Sequence, residues 1–331
     1  MRGRQRDRGV AVVTGGTAGV GRATVRELAA RGWDVAILAR GDAGLRAAET
    51  DVRSAGRQGL GIATDVADLA AVRAAAEQVE SQLGPVALWV NVAFVGALRK
   101  FVDTDPETFR RITDVTYFGQ VHGTRVALEL MRPRDRGVIV NVSSALAYRG
   151  IPLQAAYCGA KHAVKGFTES VLTELKNEGS PVRICMATLP GLNTPQFDWN
   201  DNAYQAHPRP VAPVFQPEVA ARMIAFLADH PRRNAWVGVS SAYTVLGNRV
   251  APALLDRYLA RKGVKGQLAD DSGPRHGSNV FLSRDDDEDR GAHGMFDDEA
   301  HPHDPWSATS MAIWTALDSV AERARRVTQR Q

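Results

Sequence analysis

The run Val10 to Val13 is short, apolar and β-branched, and it passes directly into Thr14-Gly15-Gly16-Thr17-Ala18-Gly19-Val20-Gly21. An amphipathic stretch follows, with Val25, Leu28 and Ala29 on one face and Gly32 near its end. A buried strand, a glycine loop and a helix, in that order, restrict the fold more than any other feature of the chain. Glycines let a backbone turn sharply and approach a pyrophosphate. The helix behind them offers its unpaired N–H groups and the positive end of its dipole to the anion. Gly15, Thr17, Ala18, Gly19, Val20 and Gly21 are therefore candidate dinucleotide contacts. The spacing is G-x-x-x-G-x-G, one residue longer in its first gap than G-x-G-x-x-G, so the flanking strand and helix carry the assignment.

The same alternation continues. Asp34 to Ala39, Leu60 to Thr64, Val86 to Val90, Val138 to Val142 and Val182 to Leu189 read as strands, each set off by a helical pattern. Such alternation predicts an α/β fold: a Rossmann-like, doubly wound parallel sheet with helices on both faces. Ala235 to Val239 would bring the sheet to about seven strands. Ligands of these sheets lie outside the C-terminal strand ends. Arg40, Asp65, Asn91, Ser144 and Pro190-Gly191 all fall at such ends. A carboxylate after the second strand would bind the ribose hydroxyls of NAD. Here the strand ends on Arg40, whose guanidinium suits a 2′-phosphate, so NADP is expected in preference to NAD. Asp65 is placed to accept a hydrogen bond from the adenine amino group.

Composition narrows the partners. The net charge is only +4, and much of the excess sits among Arg2, Arg4, Arg6 and Arg8. No basic and aromatic interleaving suggests nucleic acid. Cys158 and Cys185 are the 2 cysteines and have neither a disulfide framework nor a zinc spacing. No apolar run reaches the roughly 18 residues that span a bilayer. The Met-Arg-Gly-Arg start lacks the apolar segment of a signal peptide, so a cytoplasmic protein is expected.

Tyr157 and Lys161 lie four positions apart in a helical pattern that begins at Ala155, one turn apart on one face. A neighbouring ammonium favours the phenolate and lowers the tyrosine pKa, making Tyr157 a candidate general acid/base.

Taken together, Thr14-Gly15-x-x-x-Gly19-x-Gly21, Asp65-Val66, Asn91-x-Ala93, Ser144, Tyr157-x-x-x-Lys161 and Pro190-Gly191 resemble the short-chain dehydrogenase/reductase family over about residues 9 to 240. The interval between Ser144 and Tyr157 selects Ser144 over Ser143. The resemblance implies an oxidoreductase that interconverts CH–OH and C=O groups. Tyr157 would exchange a proton with the substrate oxygen. Lys161 would lower its pKa and hold the nicotinamide ribose, and Ser144 would bond the substrate oxygen. Asp65, Val66, Asn91, Ala93, Pro190, Gly191 and Thr194 would line the cofactor. Phe94, Ala145 and Phe197 would face the substrate. The family often assembles through the helices bearing Tyr157 and Met131, which implies a homodimer or homotetramer.

Three departures stand out. Phe94 replaces a glycine beside the cofactor. Thr116 stands where the family places an asparagine that supports the active-site lysine through water, and at that position it is a catalytic candidate. Thr194 follows Gly191 one residue early. The changes at Phe94 and Thr116, with the C-terminal extension, keep a rival open: a dinucleotide-binding regulatory or scaffold protein with a residual active site.

The expected organisation is a flexible basic N-terminus (1–8), a catalytic domain (9–261), an acidic irregular linker (262–305) and an amphipathic helix (306–326). The stretch Leu192 to Gln216 has the length of a binding lid, and its aromatics suggest an apolar or bulky substrate. Asp285-x-Asp287-x-Asp289 is rejected as a calcium loop, since Arg290 and Phe296 stand where glycine and glutamate are needed. No metal is expected. The terminal helix, with Met311, Trp314 and Leu317 on one side, is expected to dock on the protein or its oligomer.

Overall fold

The computed structural model describes residues 8–270 and 277–328, and side chains as far as 324. The basic run expected to be flexible thus lies, but for Arg8, outside the described residues. The strands are β1 Val10–Thr14, β2 Asp34–Ala39, β3 Gly59–Ala63, β4 Val86–Asn91, β5 Ala97–Leu98, β6 Val138–Ser144, β7 Arg183–Leu189, β8 Asp201–Asn202 and β9 Asn234–Trp236. The helices of the first half are α1 Gly19–Ala30, α2 Asp42–Ser54, α3 Leu69–Gln82, α4 Pro106–Thr113, α5 Gly119–Met131 and α6 Ala155–Asn177. Those of the second half are α7 Gln196–Trp199, α8 Pro217–Asp229, α9 Gly238–Val250, α10 Pro252–Lys262 and α11 Pro305–Thr328.

Seven strands form one sheet in the order β3-β2-β1-β4-β6-β7-β9, and every pairing is parallel. The order reverses between β1 and β4, which opens a crevice at their C-terminal ends. Alternation along β1 divides the core: Ala11 and Val13 face α1, α2 and α8, while Val10 and Val12 face α3, α5 and α6. Sequence sets the helix starts. The Asp68 carboxylate accepts from the Ala70 and Ala71 N–H groups ahead of α3, and Asp105 caps α4 with Pro106 in its first turn.

Between α4 and α5 the helix widens into a π turn over Asp114–Phe118. A buried polar cluster ties this region to the sheet. Asn91 on β4 bonds Asn141 on β6 at 2.8 Å, and Asn141 bonds Thr168 on α6 at 2.9 Å.

The second half departs from expectation at one place. Residues 279–304 are irregular in path, but they are not a solvated linker. Val280, Asp285, Ala292, Phe296, Ala300 and Asp304 are all buried. This strap crosses the C-terminal edge of the sheet and then enters α11. Met311 and Trp314 of α11 pack against the core, with Trp314 stacked 6.1 Å from Phe226. Leu317 is exposed. No helix among the described residues is long and apolar enough to cross a membrane.

Candidate active site

A cavity of about 450 Å³ runs along the C-terminal strand ends, from the glycine loop to the mouth formed by α9 and α10. Gly15, Thr17, Ala18, Gly19, Val20 and Gly21 line one end of it. Gly15 has φ +67°, and a Cβ there would meet the Ala93 backbone at 2.7 Å, so only glycine lets β1 and β4 turn side by side. The Thr14 hydroxyl reinforces the junction by accepting from the N–H groups of Val92 at 3.1 Å and Ala93 at 3.3 Å. The start of α1 lies at this end. This cradle has the shape that a dinucleotide pyrophosphate needs, beside a helix N-terminus whose first N–H, that of Gly19, donates to the Gly291 carbonyl at 3.0 Å.

Arg40, Asp65, Val66 and Ala93 line the next part of the cavity. Two of these side chains are already engaged. The Arg40 guanidinium donates to the carbonyls of Asn279 at 2.5 Å, Phe281 at 3.2 Å and Val280 at 3.4 Å. The Asp65 carboxylate accepts from Arg111 at 2.5 Å and from the Ala67 N–H at 3.0 Å. These bonds hold its pKa below the ordinary value, against burial, which raises it. Asn91 does not line the cavity. Its side chain is fully buried in the cluster with Asn141, and its oxygen accepts from Trp89 Nε1 at 2.9 Å.

Ser144 ends β6, and Tyr157 stands in the first turn of α6 with Lys161 one turn further on. The fold brings all three, with Pro190, Gly191 and Thr194, to one cavity wall. Ser144 and Tyr157 share a hydrogen bond. Lys161 is 1% exposed and donates to the Val142 carbonyl at 2.8 Å. Its Nζ lies 5.6 Å from the ring of Tyr157 and 5.6 Å from that of Phe94. Phe94 meets Tyr157 edge-on at 5.7 Å. The residue that replaces a glycine thus walls the tyrosine rather than filling the site.

The electrostatics differ from the simple pairing. Burial pushes the Lys161 ammonium down to about 7. Burial also raises the Tyr157 phenol, against the Ser144 hydrogen bond that lowers it. In the protein alone desolvation is the largest influence on both groups.

Thr116 does not line the cavity. Its hydroxyl donates to the Val95 carbonyl at 2.9 Å and accepts from the Val95 N–H at 3.1 Å. Its one proton is spent there, so the expected support of Lys161 through Thr116 is replaced by a structural role at the π turn.

Phe94, Ala145 and Phe197 also line the cavity, and Phe197 packs at right angles on Phe296 of the strap, 6.0 Å away. Several lining residues give no signal in the sequence: Arg149, Gln154, Tyr243 and Tyr258, and from the strap Asn279, Ser283 and Asp285. The strap begins 88 residues beyond Gly191 (279 − 191), the end of the last site motif, so spacing could not reveal it.

Fold, crevice and cradle define an oxidoreductase that uses a nicotinamide dinucleotide. The family model described as short chain dehydrogenase matches residues 9–204, and the chain belongs to that family, acting on CH–OH and C=O groups. It is similar to "Uncharacterized oxidoreductase YxnA" of Bacillus subtilis (strain 168), 30% identical over 280 residues that cover 82% of this chain and 77% of that protein. A short chain dehydrogenase/reductase from Burkholderia phymatum, solved with NAD, shares the fold at a TM-score of 0.67 and 23% identity, covering 77% of this chain and 96% of the other. An actinorhodin polyketide ketoreductase solved with NADPH aligns at a TM-score of 0.60 and 27% identity over 67% of this chain and 90% of its own.

Proposed function

We propose that this protein interconverts an apolar or bulky alcohol and its carbonyl compound, with Tyr157 as general acid/base. The observation that carries the reading is the meeting of Ser144, Tyr157 and Lys161 on one wall of a cavity that also holds the glycine loop. The bound dinucleotide supplies or accepts the hydride. The residues of the chain do the rest. The glycine loop and the start of α1 receive the pyrophosphate. Pro190, Gly191 and Thr194 hold the nicotinamide end, and Lys161 reaches its ribose. Ser144 bonds the substrate oxygen and fixes it beside the Tyr157 hydroxyl, which gives that oxygen a proton in reduction and takes one in oxidation. Phe94 and the buried Phe197 keep water from the reacting pair.

The apolar wall supports an apolar substrate: Phe94, Ile151, Phe197, Tyr243 and Leu255 surround the space beyond Tyr157. Arg40 and the NADPH of the actinorhodin ketoreductase support NADP; the strap over Arg40 opposes it, and that choice is argued below. Assembly as a homodimer or homotetramer through α5 and α6 belongs to the same reading; light scattering on the purified protein tests it.

The test is turnover of NADH and NADPH across a broad panel of aldehydes, ketones and quinones. Consumption with at least one apolar carbonyl compound is expected. Dinucleotide binding without turnover on any of them would sink the reading and favour a binding or scaffold protein.

A further inference from the structure

The cofactor choice of a dinucleotide sheet is made at the C-terminal end of its second strand, where a carboxylate binds the adenosine ribose hydroxyls or an arginine accommodates the 2′-phosphate. In chain order this protein has only Arg40 there. In space it also has Asp285. That residue is buried, lines the cavity and bonds Thr17 of the glycine loop. Its carboxylate lies over Gly41 and Gly44, where any Cβ would overlap it. Gly44 stands in the first turn of α2, a place where glycine weakens a helix; the seat for Asp285 accounts for it.

The strap is fastened on both sides of this point. Arg40 holds the carbonyls of residues 279 to 281. The carbonyls of Asp285 and Asp286 accept from the N–H groups of Gly44 and Ala43, both at 3.0 Å, and so cap α2. The buried Arg22 pairs with Asp289 at 2.8 Å. The Gly291 carbonyl accepts from Gly19 N–H at 3.0 Å, and Phe296 N–H donates to the buried Asn193 at 3.0 Å. Arg40 is therefore a strut for the strap, donating to neutral carbonyls, and the buried Asp285 carboxylate, whose pKa is raised chiefly by that burial, stands near it at the ribose end of the cavity.

We propose that residues 279–291 are part of the dinucleotide site and that Asp285 determines its specificity, accepting hydrogen bonds from the ribose hydroxyls and repelling a 2′-phosphate, so that NAD is the working cofactor. The proposal rests on the oxidoreductase reading above.

The experiment measures the binding of NADH and NADPH to the full chain, to Asp285→Asn and to Asp285→Ser, with melting curves for each. Wild type is expected to bind NADH at least about tenfold more tightly than NADPH, and either variant to lower that ratio by about tenfold or more. Asp298→Asn, an exposed carboxylate beyond this segment, is expected to leave the ratio unchanged. A wild type that prefers NADPH, or a ratio unmoved in both Asp285 variants, overturns the assignment and leaves the oxidoreductase reading intact. Failure of wild type to bind either dinucleotide overturns both.

Discussion

Thr116 and Val95 are joined twice. The threonine hydroxyl donates to the Val95 carbonyl at 2.9 Å and accepts from its N–H at 3.1 Å. Val95 follows Phe94 after β4, and Thr116 sits in the π turn ahead of α5, so this pair sets the distance between the Phe94 wall and the helices. Both residues are buried. Thr116→Val keeps the volume and leaves a peptide N–H and carbonyl unpaired, at a cost of about 1–3 kcal/mol each in the worst case. A fall in melting temperature with a smaller loss of kcat is expected. A kcat loss as large as that of Tyr157→Phe, without a change in stability, would restore a catalytic role to Thr116.

Tyr157→Phe removes the only hydroxyl proposed to move a proton and keeps the ring against Phe94. Turnover is expected to fall by about 10²–10⁴-fold while dinucleotide binding stays within a factor of a few. Ser144→Ala removes one donor to the substrate oxygen, and a loss of about 10²–10³-fold in kcat is expected. Retained turnover in Tyr157→Phe would refute the assignment.

The buried Lys161 titrates near 7 in the protein alone. Above that pH it is largely neutral. A bound dinucleotide brings the negative pyrophosphate into the same cavity, and an anion nearby raises the pKa of an ammonium. Binding at pH 8 is therefore expected to take up a fraction of a proton, and binding at pH 6, where Lys161 already carries its charge, to take up less. Calorimetry in two buffers of different ionisation enthalpy measures the uptake. Equal uptake at both pH values, or uptake unchanged in Lys161→Met, would exclude Lys161 as its source.

Much of this arrangement is legible in the sequence. Strand and helix alternation announces the parallel sheet, because parallel strands buried on both faces leave continuous apolar runs. The glycine loop and Tyr157-x-x-x-Lys161 are legible because their chemistry depends on residues close together in the chain. What escapes is long-range. Asn91 looks like a cofactor residue at a strand end, but its partner Asn141 lies on another strand and turns it inward. Arg40 looks free to read a phosphate because its acceptors are backbone carbonyls of residues 279 to 281, and carbonyls leave no trace in a sequence. The strap itself is rich in Asp, Gly and His, a composition that suggests solvent. Its burial depends on Arg22, Arg40 and Arg111, whose charges it satisfies from outside the domain motifs.

Gly44 offers the most direct test of that strap. On local grounds Gly44→Ala in the first turn of α2 should stabilise the helix by up to about 1 kcal/mol. In the folded chain the new methyl group would overlap the Asp285 carboxylate and approach the Thr17 Cβ at 2.8 Å. The carboxylate belongs to a segment pinned by Arg40, Arg22 and Gly19, so it cannot yield by a rotamer change alone. The two effects have opposite signs, and the overlap is the larger. Gly44→Ala is expected to lower the melting temperature and to speed proteolytic cleavage within residues 279–298, while the sheet core keeps its protection. A variant that melts higher than wild type with the strap equally resistant would mean that the strap does not rest on α2 in solution.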